Sequence, residues 1–100
     1  MTEKYLVSVL MSTFNNQNTI GKAIESIINQ TYQNIELLIM DDCSNDETFK
    51  IISNYSAKHE NIKIFQNNIN VGLTRSLNIL IDNASGEFIA RQDADDISIR

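Results

Sequence analysis

One hundred residues, 42% of them hydrophobic, suffice for one small domain or a part of a larger one and leave no room for a second. The formal net charge of -5 argues against a general nucleic-acid binder, which needs a basic face, but an acidic chain can still take an anionic nucleotide where a metal reverses the local sign. Cys43 is the single cysteine, which excludes an intramolecular disulfide and a cysteine-built zinc site and points to a reducing, cytoplasmic compartment. Met1-Thr2-Glu3-Lys4 runs straight into an apolar stretch, so no signal peptide or membrane span is expected, while peripheral contact with the inner face of a membrane stays open.

Tyr5 to Met11 (YLVSVLM) is a nearly continuous apolar run, the pattern of a strand covered on both faces in a parallel sheet. After the polar turn Ser12 to Asn16, Ile20, Ala23, Ile24, Ile27 and Ile28 form a helical stripe, entered near Asn18 or Thr19 as cap. Ile35 to Met40 (IELLIM) is a second buried strand, closed by Asp41-Asp42. Ser44-Asn45-Asp46-Glu47 has capping-box spacing, predicting a second helix that buries Phe49, Ile52 and Tyr55. A shorter strand over Asn61 to Gln66 leads through Asn67 to Asn70 into a third helix with the stripe Leu73, Leu77, Leu80, Ile81 and Ala84, which Gly86 is placed to stop in a left-handed conformation. A fourth strand, Glu87 to Arg91, delivers Gln92-Asp93-Ala94-Asp95-Asp96. Strands alternating with helices predict a mainly parallel sheet with helices on both faces, an α/β/α sandwich of Rossmann-like kind.

In such a sheet the residues following each strand collect at one edge, where open α/β sheets bind ligands. The segments so gathered are Ser12 to Asn15, Asp41-Asp42, Gln66 to Asn70 and Gln92 to Asp96, polar after every strand. Three carboxylates in four residues repel one another unless a cation or hydrogen bonds hold them, and hard Mg²⁺ or Mn²⁺ take oxygen ligands while keeping positions open for phosphate. Asp93 and Asp95 are therefore candidates to present a divalent ion to a diphosphate. The three glycines, Gly21, Gly72 and Gly86, all lie outside the first turn, so neither a dinucleotide fingerprint nor a Walker A loop is present to cradle phosphate. Phe14 offers a ring face to a base.

These residues, in this order, resemble the family 2 glycosyltransferases of the GT-A fold: Val7 to Asn15, Ala23 to Ile27 with Asn29-Gln30-Thr31-Tyr32, Glu36 to Asp46 (ELLIMDDCSND), Asn70-Val71-Gly72, and Gly86-Glu87-Phe88-Ile89 leading to Asp93-Ala94-Asp95-Asp96. The resemblance implies inverting transfer of a sugar from a nucleotide-diphosphate sugar, a UDP-sugar as first guess, to a saccharide or lipid-linked acceptor in polysaccharide or glycoconjugate synthesis. It implies that Ser12, Thr13, Phe14 and Asn15 line the nucleotide pocket, with Phe14 stacking on the base. Asp42 would hydrogen-bond the base, Asp93 would face the ribose or the metal shell, and Asp95 would bind Mn²⁺ or Mg²⁺. The chain departs from the family where many members have proline for Ser12, tyrosine for Phe14 and glycine for Cys43. The last departure suggests a turn that does not demand a positive φ. Leu77 stands where the family often has arginine, and Arg75, one turn earlier, is the candidate substitute for phosphate or base binding.

The resemblance further implies that residues 1–100 are the nucleotide-sugar-binding part of a longer catalytic domain whose general base and acceptor half follow Arg100. No catalytic base is expected among these residues, little transfer is expected from them alone, and apolar surface left near the fourth strand favours self-association. Blander roles stand beside these. Asp41 reads as structural, accepting backbone N–H groups or pairing with Arg91, and Asp96 is a candidate cap for an element after it. His59, Lys50 and Lys58 read as surface, and Tyr5, Tyr32 and Tyr55 as packing. Two alternatives remain: a noncatalytic nucleotide-binding or interaction module, and a receiver-like signalling domain, although a receiver carries its acidic pair after the first strand and this chain after the second.

Overall fold

The computed structural model describes residues 5–94. Its elements are β1 (Val7–Thr13), α1 (Ile20–Ile28), β2 (Ile35–Asp41), α2 (Thr48–Lys58), β3 (Ile62–Gln66), α3 (Leu73–Asn83) and β4 (Phe88–Arg91). The strands form one parallel sheet in the order β3-β2-β1-β4. All seven expected elements are present, with β1 beginning and ending two residues later than the apolar run implied.

Period-two alternation sorts the strand side chains onto two faces. Val9, Met11, Leu37, Ile39 and Ile62 pack with Ile20, Ala23, Ile24 and Ile27 of α1 and Ile52 of α2. Leu10, Leu38 and Met40 turn the other way, onto Leu80 of α3. Because both faces of β1 and β2 are covered, both strands read as unbroken apolar runs, and the result is the expected three-layer sandwich. Each fully buried Ile or Leu contributes about 1.5–3 kcal/mol of transfer free energy, so the four buried residues of α1 fix that helix without help from a capping side chain.

Several local expectations fail for identifiable reasons. Neither Asn18 nor Thr19 caps α1; the Asn16 carbonyl accepts the Thr19 and Ile20 amides at 3.0 and 2.8 Å instead. The Ser44–Glu47 capping box does not form, because Asp46 Oδ1 takes the Thr48 amide at 2.9 Å while the Ser44 hydroxyl is engaged across the loops. Helix α3 buries less than its stripe implied: Leu80 is enclosed, but Leu73 and Ile81 are 46% and 45% exposed. It ends at Asn83 with Ala84 extended, and Gly86 has no left-handed φ. Gly86 is required by space, since a Cβ there would lie 2.6 Å from Ser8 Oγ and 2.8 Å from the Leu6 carbonyl. Conversely, Cys43 does adopt φ 67, so the turn demands the left-handed conformation that its side chain was expected to exclude. Among the described residues no helix is long and apolar enough to cross a membrane.

Candidate functional site

The chain steps outward from β1 to β2 to β3, then crosses back to place β4 on the other side of β1. Strand order thus reverses between β1 and β4, and the crevice outside the carboxyl ends at such a point is where open α/β sheets hold ligands. β1 delivers Phe14 there and β4 delivers Gln92 and Asp93; the two ends are tied by the Gln92 amide donating to the Leu10 carbonyl at 3.0 Å. On the far side of β1, Asp42 follows β2, its amide donating to the Thr13 carbonyl at 2.8 Å. Of the four segments expected at this edge, all arrive there as far as they are described; Asp95 and Asp96 lie outside the described residues.

The loop carrying Phe14 is braced from below and from the side. Thr13 is buried, and its hydroxyl donates to Asn16 Oδ1 at 2.7 Å, the same oxygen that accepts the Phe14 amide at 3.0 Å. Asn15, at φ 52, donates its amide to Ser44 Oγ at 2.8 Å and accepts the Asn45 amide on Oδ1 at 2.9 Å. Gln17 and the acidic loop repeat the exchange: the Gln17 amide donates to Asp46 Oδ2 at 3.3 Å and the Glu47 amide donates to Gln17 Oε1 at 3.1 Å. The outcome is a 45% exposed Phe14 ring on an ordered support. Ser12 is half-buried beneath it and Asn15 is exposed beside it.

The two aspartates after β2 are committed to different tasks. Asp41 is fully buried, with Oδ1 accepting the Ser44 amide at 3.3 Å and Oδ2 the Gln66 side-chain amide at 3.2 Å. That satisfies the structural expectation, but not through Arg91, which pairs with Asp93 at 3.2 Å. Asp42 is 3% exposed and sits against the start of α3. Its Oδ1 accepts the Val71 amide and the Asn67 side chain, and its Oδ2 the Gly72 amide, each at 2.9 Å. Burial alone would raise the Asp42 pKa; the Val71, Asn67 and Gly72 donors outweigh it and hold the carboxyl below its ordinary range. The anion at the amino end of α3 also complements the helix dipole. Arg75 lies exposed in the first turn of that helix, at the same edge.

Asp93 contrasts with both. Its side chain is 49% exposed, with one oxygen on Arg91 and the carboxylate open to solvent. As a hard, solvent-open oxygen donor just after β4 it has the chemistry that Mn²⁺ or Mg²⁺ take. Among the described residues no three His, Cys, Asp or Glu side chains form a metal-binding group, and the other expected ligand, Asp95, lies outside them. Sequence reasoning passed over Ala94, which is 5% exposed and packed into the core on the α1–α2 face, anchoring the acidic segment by one methyl. It read Ser44 only as a helix cap and Asn16 and Asn67 only as members of polar loops, without the bracing bonds that each makes across to another segment or to the Phe14 turn.

Around the switch point of this parallel α/β sandwich stand an aromatic ring, a helix start and an exposed carboxylate, at the edge where open α/β sheets bind ligands. The chain belongs to glycosyl transferase family 2, which matches residues 8–99. It is 45% identical over 93 residues to the glycosyltransferase EpsE of Bacillus subtilis, covering 92% of this chain and 34% of EpsE. It is 41% identical over 98 residues to the Escherichia coli UDP-Glc:alpha-D-GlcNAc-diphosphoundecaprenol beta-1,3-glucosyltransferase WfgD, covering 97% of this chain and 38% of WfgD. The fold matches the mannosyltransferase PcManGT of Pyrobaculum calidifontis, solved with GDP-Man and Mn²⁺, at a TM-score of 0.90 and 23% identity over 99% of this chain and 30% of that one. The chain therefore spans about a third of the length of these proteins.

Proposed function

We propose that residues 1–100 form the nucleotide-sugar-binding part of a glycosyltransferase that transfers a sugar, with inversion, from a nucleotide-diphosphate sugar to an acceptor hydroxyl. The observation that supports this reading is the adjacency of β1 and β4, whose parallel ends carry Phe14 and Asp93 to the same edge of the sheet in a family 2 chain. Phe14 stacks on the base, while Ser12 and Asn15 line the pocket and the inward-facing Thr13 supports it. Asp42 spends three acceptor positions on Asn67, Val71 and Gly72 of the loop that leads into α3, so it contacts the base with its remaining capacity while fixing the start of the helix from which Arg75 reaches phosphate or base. Asp93 and Asp95 hold the divalent ion; a bound Mn²⁺ or Mg²⁺ supplies positive charge to the departing diphosphate. The general base and acceptor contacts belong to residues after Arg100, so transfer by this chain alone is expected to be negligible.

A UDP-sugar remains the first choice of donor, supported by the UDP-Glc of WfgD's name, and a diphosphoundecaprenol-linked saccharide is the matching acceptor class. A lipid-linked acceptor favours placement at the cytoplasmic face of a membrane. Self-association through the exposed Phe88 and Ile89 is a further expectation, read by sedimentation. A noncatalytic binding module would keep the same pocket, and full-length transfer assays separate it from the transferase; phosphorylation by a small phosphodonor would instead point to a receiver.

The test is a thermal-shift series with UDP, GDP, CDP and their sugars, with and without Mn²⁺, on wild type and Asp95→Ala. A ligand at one hundred times its Kd stabilises by about 2.7 kcal/mol, which is readily seen in a chain of this size. A metal-dependent shift for one nucleotide, lost in Asp95→Ala, supports the assignment; no metal-dependent shift with any of them removes it.

A further inference from the structure

Strand β4 is held in a way its own side chains do not explain. Phe88–Arg91 are exposed at every position, and among the described residues their one ring contact is the edge of Phe88 against Tyr5 at 5.5 Å, so burial does little to favour one register over the next, and such a strand is weakly specified. Beyond it Ala94 adds one buried methyl. The pairing nonetheless sets Ser8 opposite Ile89 and Leu10 opposite Arg91. A slip of two residues would carry Asp93 about 7 Å along the crevice.

A polar lock lies at the beginning of the strand, away from the nucleotide edge. Glu36, 5% exposed, accepts the Ser8 hydroxyl at 2.6 Å and the Ser85 amide at 2.6 Å on Oε2, and the Lys63 ammonium at 3.1 Å on Oε1. Ser8 Oγ in turn accepts the Gly86 amide at 2.8 Å. Two successive amides of the turn before β4 are thus captured by the β1–β2 pair. Backbone pairs such as the Glu87 amide on the Leu6 carbonyl can re-form with other partners after a slip. The lock cannot, because it needs a buried carboxylate, a hydroxyl and a residue without Cβ at one place. Burial would raise the Glu36 pKa, but Ser8, Ser85 and Lys63 outweigh it and keep the group ionised.

We propose that Glu36 is a positioning residue for the acidic segment: acting through Ser8 and the Ser85–Gly86 turn, it fixes the register of β4 and hence the place of Asp93 in the crevice. Its consequence for ligand rests on the proposed nucleotide site; its consequence for the strand does not. The experiment compares Glu36→Gln, Ser8→Ala and Lys63→Met by calorimetric titration with UDP and Mn²⁺ at 15 °C and by amide hydrogen exchange. Glu36→Gln turns an N–H₂ toward donors, Ser8→Ala removes the bridge to Gly86, and Lys63→Met strips Glu36 of its cation without touching β4. The expected result is roughly tenfold or greater weakening of UDP–Mn²⁺ binding in the first two, with the Gln92 amide exchanging faster relative to amides of β2. Lys63→Met should lower stability yet keep wild-type affinity and the wild-type exchange ratio. Folded Glu36→Gln and Ser8→Ala chains with the wild-type ratio overturn the proposal, as does a Lys63→Met chain that behaves like them. If Glu36→Gln does not fold, Ser8→Ala decides. If wild type binds no UDP–Mn²⁺, the nucleotide assignment fails, and the exchange ratio alone still judges the lock.

Discussion

Replacing Asp42 by asparagine tests how the β2 end and α3 are joined. The carboxylate accepts three hydrogen bonds at 2.9 Å while almost wholly buried. Asparagine keeps one carbonyl oxygen for Val71 and Asn67 and presents N–H₂ to the Gly72 amide, leaving that donor unpaired. A charge-assisted bond contributes about 1.5–3 kcal/mol and an orphaned buried amide costs about 1–3 kcal/mol. The lost anion at a helix start adds a few tenths to about 1 kcal/mol. Since these overlap, the expected loss is about 3 kcal/mol, or roughly 15 °C in Tm for a domain of this size. The effect carries a pH signature. The folded-state pKa of Asp42 lies below its ordinary 3.8, so its contribution is whole above the unfolded value and is lost as pH falls through the folded one. Urea denaturation followed by far-UV circular dichroism, stepped from pH 7 to pH 3, should show the gap between wild type and variant closing below about pH 4. A gap under about 1 kcal/mol at pH 7, or one that persists unchanged at pH 3, would refute the idea that charge-assisted bonds make this joint.

Phe14→Ala should leave the Tm nearly unchanged, because the ring is exposed, while weakening UDP binding about tenfold, the worth of one stacked base; an unaltered Kd by calorimetry excludes stacking. Gly86→Ala should destabilise by about 3 kcal/mol, since the new Cβ would meet the Ser8 amide nitrogen at 2.7 Å as well as its hydroxyl; a chain as stable as wild type in urea would show that the approach is slack. Cys43→Gly should be neutral or stabilising by up to about 1 kcal/mol, and Cys43→Val destabilising by about 1–2 kcal/mol, because φ 67 penalises a β-branched residue; the opposite order in urea midpoints contradicts the assignment. Burial and then the hydrogen bond to Glu25 push the Tyr55 phenol up to about 12, so absorbance titration at alkaline pH should show one tyrosine ionising near that value, and Glu25→Gln should bring it down.

The layers were legible because β1, β2 and α1 bury both faces or one clean stripe, which writes itself into sequence as an unbroken run or a 3.6-residue period. Leu80 and Leu10 follow that rule; Leu73 and Ile81 break it, since apolar spacing says which side chains share a helix face but not whether anything covers it. Gly86 was found and misread: sequence marks a missing side chain without saying whether a dihedral angle or a neighbouring atom requires it. Cys43 erred the other way, because its neighbours are both tied down, the Asp42 amide on the Thr13 carbonyl before it and the Ser44 amide on Asp41 Oδ1 after it, and the first of these bonds is recorded in no local pattern. Topology gathered the candidate residues that follow each parallel strand at one edge, and the resemblance added Arg75, but the commitment of Asp42 to Val71 and Gly72 depends on contacts 29 and 30 residues away in sequence.

The reciprocal bonds between the loops after β1 and β2 bear on how this surface changes over generations. Each loop supplies side-chain acceptors for the other's backbone, Asn15 with Ser44 and Asn45, Gln17 with Asp46 and Glu47. A substitution that suits one donor therefore disturbs the partner loop unless a matching change arises there. Residues at these places should co-vary in pairs, and grafting either loop singly into a relative should fail where grafting both succeeds.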